Sequence, residues 1–173
     1  MVVSLLGIRG AGKSTIGAGL AERLKIPFVE LDRQIETEAG LALAEIFALH
    51  GEAYYRELER RALRRLLDER RSILIATGGG IVTNSEAFQL LNDQTITVWL
   101  RASADQHWNR VVRQGDPRPM AGRPAAKAEL RRLIAEREPL YRGARIRIDT
   151  VRLGIEGSVA ALASKLGRKT NRN

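Results

Sequence analysis

The sequence predicts an α/β protein: a parallel β-sheet covered by helices on both faces. Three observations predict it. Short apolar runs alternate along the chain with longer segments of helical periodicity, the order that parallel strands with crossover helices require. The first run, Val2-Val3-Ser4-Leu5-Leu6, leads into Gly7-Ile8-Arg9-Gly10-Ala11-Gly12-Lys13-Ser14-Thr15, which fits the pattern G-x-x-x-x-G-K-[ST] at every fixed position and opens a helix over Ile16–Leu24. Later runs end in a carboxylate or in glycines, the end of a parallel strand at which such sheets bind ligands.

The glycine loop carries a direct physical reading. Gly7, Gly10 and Gly12 permit backbone angles that turn successive N–H groups inward as an anion nest. The helix that follows aims its positive dipole end at the same point. Lys13 adds a full charge where β- and γ-phosphates would lie, and Ser14 offers a hydroxyl to magnesium, an ion that prefers oxygen ligands.

Composition narrows the classes. At 173 residues the chain suits one domain with a sizeable core. It contains no cysteine, which excludes disulfides and thiolate metal sites and suits a reducing compartment. No apolar run approaches the roughly 20 residues of a membrane span, and the N-terminus has neither a basic n-region nor a cleavage site. The expectation is a cytoplasmic protein with no membrane partner. The net charge of +9 comes mainly from arginine, whose two-pronged fork suits small anionic ligands. The layout argues against nucleic acid as a partner: many arginines sit beside glutamates, as in Arg56-Glu57-Leu58-Glu59-Arg60-Arg61, and aromatics make up only 5%.

After the first helix, Ile26–Leu31 reads as a strand entered through Pro27, with Asp32 at its end. Glu30 and Asp32 share a face if strand geometry persists, where they could serve magnesium and a substrate hydroxyl; Asp32 reads equally as the N-cap of a helix over Arg33–Gly40. Leu41–His50 is a short helix, broken at Gly51 and resumed over Ala53–Arg70. Arg56 and Glu59 lie one helical turn apart, so they can touch, either as a pre-oriented anion receptor or as an ordinary surface ion pair. His50 reads as a helix-end or surface residue.

Ser72–Thr77 is the next strand and runs into Gly78-Gly79-Gly80. Three glycines in succession are costly in entropy, so close backbone approach to a ligand is the preferred reading over a plain turn. A helix over Asn84–Asn92, a strand over Thr95–Leu100 with Trp99 in the core, and a helix over Ala104–Arg113 follow. Gly115–Pro124, with three prolines, two glycines and two arginines, cannot be regular structure; it reads as a phosphate-contacting lid or as an inert surface loop. Ala126–Tyr141 is a long helix interrupted at Pro139, Ala144–Asp149 a last strand, and Gly154–Leu166 a closing helix. Residues 1–167 form the single expected domain, and 168–173 a basic tail that frays.

Taken together these residues resemble the shikimate kinase family nearly end to end. The resemblance is carried by Gly7–Thr15, the Phe28-Val29-Glu30-Leu31-Asp32 strand, Arg56, Gly78-Gly79-Gly80, Arg118-Pro119 and Leu140-Tyr141-Arg142. It implies a P-loop NTPase fold of three α/β/α layers, with a five-stranded sheet of order 2-3-1-4-5, substrate-binding helices at about 32–62 and a lid at about 114–125. It implies transfer of the γ-phosphoryl of ATP, with magnesium, to the 3-hydroxyl of shikimate by a monomer. ATP then falls to Gly10, Ala11, Gly12, Lys13, Ser14, Thr15, Arg118 and, as an arginine stacking on adenine, Arg110. Asp32, Lys13 and Arg118 are the implied catalytic residues, with Asp32 on the reacting hydroxyl. Arg56 and Arg142 match the pair that grips the shikimate carboxylate, and Gly78, Gly79 and Gly80 match the backbone beside the substrate. Magnesium falls to Ser14 and Glu30. The family usually carries Asp-x-Asp where this chain has Glu30-Leu31-Asp32; Glu30 keeps the charge on a side chain one methylene longer, so it would reach magnesium through water.

A second resemblance joins Phe28–Leu31, Thr97–Leu100 and Gln114–Gly122 to the shikimate-kinase-like domain of regulators that sense benzoyl-CoA behind a helix-turn-helix. The chain enters its first strand at Val2, so no DNA-binding segment is expected, and it keeps Asp32, Arg56 and Arg142 together, which favours the kinase. A gluconate-kinase-like enzyme is a third possibility, against which the paired arginines and the triple glycine point to a cyclic carboxylate.

Overall fold

The computed structural model describes residues 1–69, 71–102 and 126–170. Five strands, β1 (Val2–Leu6), β2 (Phe28–Glu30), β3 (Ile73–Ala76), β4 (Ile96–Arg101) and β5 (Ile146–Asp149), form one sheet of order β2-β3-β1-β4-β5. All four pairings are parallel, the arrangement expected. Among the described residues the helices are α1 (Lys13–Leu24), α2 (Leu31–Ala39), α3 (Leu43–Asp68), α4 (Ser85–Gln94), α5 (Ala126–Tyr141) and α6 (Thr150–Thr170), with a 3₁₀ turn at Ile81–Thr83.

The period-2 alternation of strand side chains builds a core on each face of the sheet. Leu6, Ile73, Ile75 and Trp99 point to one side, where Ile35, Leu63, Leu67, Leu91 and Tyr141 close over them. Val3, Leu5, Leu74, Val98, Leu100, Ile146 and Ile148 point to the other, under Ile16, Leu20, Leu162 and Leu166. Helices α1 and α6 therefore cover one face, and α2 to α5 the other. Trp99 is core, as its strand pattern predicts, and stacks on Tyr141 with ring centroids 5.8 Å apart.

Several boundaries differ from the sequence reading. Strand β2 ends at Glu30, because Leu31 turns into the core fully buried as the first residue of α2. Glu30 takes the N-cap position with extended backbone (φ −91°, ψ 113°), so Asp32 lies in the first helical turn and shares no strand face with it. The break at Gly51 is present, with φ 80° and ψ 178° separating the two arms of α3. Helix α6 starts earlier and runs later than the expected Gly154–Leu166: residues 168–170, read as tail, are helical, and Gly154 (φ 65°) is a kink inside it. The expected helix over 104–113 and the expected lid, with Arg110 and Arg118, lie outside the described residues.

Leu74 is fully buried at the centre of β3. Replacing Leu74 with Ala should lower unfolding stability by about 2–5 kcal/mol; urea denaturation should show the lower midpoint with an unchanged slope, as expected when compactness is kept.

Candidate active site

The carboxyl ends of β1, β2 and β3 open into one cleft of about 620 Å³. Its walls include Gly10, Gly12, Lys13, Ser14 and Thr15 of the glycine loop, Glu30 and Asp32 of the β2–α2 junction, Tyr55 and Arg56 of α3, Gly79 and Gly80 after β3, and Arg137 of α5. Side chains far apart in sequence meet here because parallel strands deliver their C-terminal ends to one edge of the sheet.

The loop has the geometry of an anion nest. Gly10 and Gly12 adopt φ 78° and 94°, and Gly12 opens α1 with no side chain capping it, which leaves first-turn amides directed at the cleft. Ala11 packs into the core behind the loop, so only its backbone is available to a ligand. The Lys13 ammonium donates to the carbonyls of Gly7 (2.6 Å) and Ile8 (3.0 Å). Burial lowers its pKa to about 8, against the opposing charge of Asp32 and with help from Arg9.

Ser14 Oγ donates to the Glu30 carboxylate, whose other oxygen is held by Arg33 Nε at 2.8 Å. A hydroxyl and a carboxylate already in contact beside the phosphate loop fit magnesium, which is held by one or two protein groups together with phosphate oxygens and water.

Across the cleft, five polar side chains form one network. Tyr55 Oη donates to Asp32 Oδ1 at 2.9 Å and lies 3.2 Å from Glu59 Oε1. Glu59 is fully buried, and its Oε2 accepts from Arg56 Nη1 and from Asn84 Nδ2, each at 3.0 Å. Burial pushes the Glu59 pKa up, and the donors from Asn84, Arg56 and Tyr55 work to keep it ionised. The Arg56–Glu59 contact is thus not a surface ion pair. Burial opposes the charge of Arg56, but the hydrogen bond to Glu52 and the charge of Glu59 more than offset it and raise its pKa. Arg56 also donates to Glu52 at 2.9 Å, so its guanidinium is clamped from two sides before any ligand arrives.

The triple glycine makes this convergence possible. A Cβ on Gly78 would meet Tyr55 Oη at 2.9 Å, Asp32 Oδ1 at 3.0 Å and Glu59 Oε1 at 3.1 Å; one on Gly79 would meet the Arg9 amide nitrogen at 2.9 Å; one on Gly80 would meet Arg56 Nη2 at 2.8 Å. Close backbone approach is the reason for the glycines, but the approach is first to the protein's own site groups. Gly78 lies behind the cleft wall, and Gly79 and Gly80 line it.

Arg142 is the described charged site residue whose side chain is not among those lining the cleft. Its side chain is 63% exposed and 3.9 Å from Glu138. Arg137 is there instead, donating to the Gly79 carbonyl at 2.9 Å beside Tyr141, which donates to the same oxygen at 2.9 Å. The cause is helical phase. Tyr141 faces the core, Arg137 is four residues earlier on the same face, and Arg142 is turned about 100° away. The available signal was the Arg-x-x-x-Tyr spacing. Tyr55 was also missed as a site residue, because its partner Asp32 lies 23 positions away, beyond any local periodicity.

A phosphate arriving at Lys13 favours its charged form, so above pH 8 triphosphate binding should take up close to one proton. Calorimetry of ATP binding at pH 8.5 in two buffers of different ionisation enthalpy measures this uptake; it should fade toward pH 6.5, where Lys13 is already protonated, and vanish in Lys13→Met.

A family model described as shikimate kinase matches residues 9–166. The chain is 44% identical over 146 residues to the shikimate kinase of Nitrobacter winogradskyi, an alignment covering 84% of this chain and 67% of that one. It is 45% identical to the shikimate kinase of Rhodopseudomonas palustris, covering 84% and 71%. The solved shikimate kinase of Acinetobacter baumannii, in complex with shikimate, superposes with a TM-score of 0.83 at 32% identity, covering 99% of this chain and 94% of that one. A phosphate loop, a half-buried arginine clamp and a carboxylate beside a strand end around one cleft, together with these matches, lead to one conclusion: the chain belongs to the shikimate kinase family.

Proposed function

We propose that the cleft transfers the γ-phosphoryl group of ATP to the 3-hydroxyl of shikimate. The observation that carries this reading is the meeting of Lys13, Asp32, Arg56 and the Gly79–Gly80 backbone in one cleft. Phosphoryl transfer asks little covalent chemistry of a protein; it needs reactants held in line and charge neutralised in a place shielded from water. The loop amides of Gly10 to Thr15 cradle the triphosphate. Lys13 releases the carbonyls of Gly7 and Ile8 and turns to the β- and γ-phosphates, where its charge offsets what develops in the transition state. Ser14 and Glu30 would hold magnesium, which supplies charge neutralisation across the phosphate oxygens when bound.

On the acceptor side, Arg56 and Arg137 form the carboxylate grip. Both guanidinium groups line the cleft and are already hydrogen-bonded, so little rotamer freedom remains to be lost on binding. Arg137 replaces Arg142 in this role. The amides of Gly79 and Gly80 add backbone donors. Asp32 orients the 3-hydroxyl and accepts its proton as the new P–O bond forms and the bond to ADP breaks. Arg118 in a lid at about 114–125 and Arg110 against adenine complete the reading, with residues about 32–62 as the substrate-binding helices of a monomeric, cytoplasmic enzyme. The family match supports this kinase over the benzoyl-CoA effector domain and over a gluconate kinase.

A coupled ADP-release assay tests the assignment: turnover should require shikimate, and its absence at millimolar shikimate from folded protein would sink the reading. Asp32→Asn should lower kcat by about 10²- to 10⁴-fold, the worth of an oriented general base, while calorimetric shikimate affinity stays within a few-fold. Arg137→Ala should raise the KM for shikimate by roughly 10-fold or more, as loss of a charge-assisted pair does, whereas Arg142→Ala should leave it within about 2-fold.

A further inference from the structure

Tyr55 has no part in the reaction just described, yet among the described residues its phenol is the side-chain donor to Asp32. A phenol carries a single proton, so at 2.9 Å from Asp32 Oδ1 and 3.2 Å from Glu59 Oε1 it favours the nearer carboxylate. Glu59 is less dependent on it, since Arg56 and Asn84 both donate to the other oxygen of Glu59. Burial, followed by the charges of Glu59 and Asp32, raises the Tyr55 pKa far above neutrality, so the phenol remains a donor across the working pH range.

The ring itself has little freedom. Phe47 packs on it with centroids 4.7 Å apart, and the Arg56 guanidinium lies 5.3 Å from its centroid. Gly78 presses from below: a methyl group there would lie 2.9 Å from Tyr55 Oη and 3.0 Å from Asp32 Oδ1. A carboxylate on a short side chain can rotate about its last torsion. Pinning Oδ1 from a fixed ring stops that rotation and leaves Oδ2 in a set direction.

We infer that Tyr55 is a positioning residue for phosphoryl transfer: it fixes Oδ1 of Asp32 so that Oδ2 is aimed at the acceptor hydroxyl. The inference rests on the role assigned to Asp32 above. It makes Tyr55 and Arg56, adjacent in α3, serve opposite ends of one substrate: Arg56 the carboxylate, and Tyr55, through Asp32, the reacting hydroxyl.

Tyr55→Phe removes one oxygen and keeps the ring, its contact with Phe47 and its place under Arg56. The expected result is a fall in kcat of roughly 10-fold, the scale of one oriented hydrogen bond to a charged group, with KM for shikimate and for ATP within about 2-fold. Calorimetric shikimate binding close to that of the unsubstituted chain confirms that the variant is folded. In the Asp32→Asn background the same substitution should change residual kcat by less than about 2-fold, since a residue acting through Asp32 has nothing left to position. An undiminished kcat in Tyr55→Phe overturns the inference, as does a rise in KM at constant kcat. A full 10-fold loss that persists beside Asp32→Asn also overturns it, because Tyr55 would then act through Glu59. Absence of shikimate-dependent ADP from the unsubstituted chain removes the functional reading and this inference with it, whereas the other adverse outcomes remove this inference alone.

Discussion

A strand end without side chains is the constraint on which this cleft depends. A Cβ added at Gly78 would lie within about 3 Å of the Tyr55, Asp32 and Glu59 oxygens, one at Gly79 the same distance from the Arg9 amide in the phosphate loop, and one at Gly80 from the Arg56 guanidinium. A single Cβ at any of the three would force apart groups that chemistry needs together. The same segment lies between the two halves of the site, the phosphate loop on one side and the acceptor wall on the other. Two donors from α5, Arg137 and Tyr141, hold it by the Gly79 carbonyl. Tyr141 is in turn stacked on Trp99 and buried, which brings its pKa up to about 12, so it serves as a lasting donor. The strand end is thus located by the hydrophobic core rather than by the ligand.

Around it the electrostatics are arranged in advance of binding. Glu59 is a fully buried carboxylate, and an unpaired charge in such a place would be costly. Arg56 and Asn84 donate to it, with the Tyr55 hydroxyl 3.2 Å away, and in return Glu59 fixes Arg56, whose second contact is Glu52. The cost of ordering a long cationic side chain is met in folding and not at the moment of recognition. The phosphate side works differently. Lys13 rests on two backbone carbonyls of its own loop, partners that hold it near the cleft.

Much of this was legible because it is local. The glycine loop, the break at Gly51 and the Arg56–Glu59 contact all follow from spacings of a few residues, while the strand order came only as what the resemblance implies. What was not legible depends on tertiary context. Leu31 is apolar in either a strand or a helix, and only its burial against the helical layer decides for the helix, which carries Asp32 with it. Arg137 lies in α5 and Arg142 directly follows its last residue, and which one faces the cleft turns on the phase set by Tyr141. The Tyr55–Asp32 bond spans two elements, and no pattern of i, i+3 or i, i+4 reaches it.

Gly51 has a mechanical consequence. Its positive-φ backbone (φ 80°) stands where an added Cβ would touch nothing, so the glycine itself gives no side-chain brace to the elbow between the two arms of α3. Bracing comes instead from the aromatic contact across it, Phe47 on one arm against Tyr55 on the other. Swinging the outer arm away would peel Phe47 off the very ring that steadies Asp32. Phe47, a wall of the cleft, and the Asp32 carboxylate are thus joined through a single ring, so the shape of that wall and the setting of that carboxylate are mechanically linked.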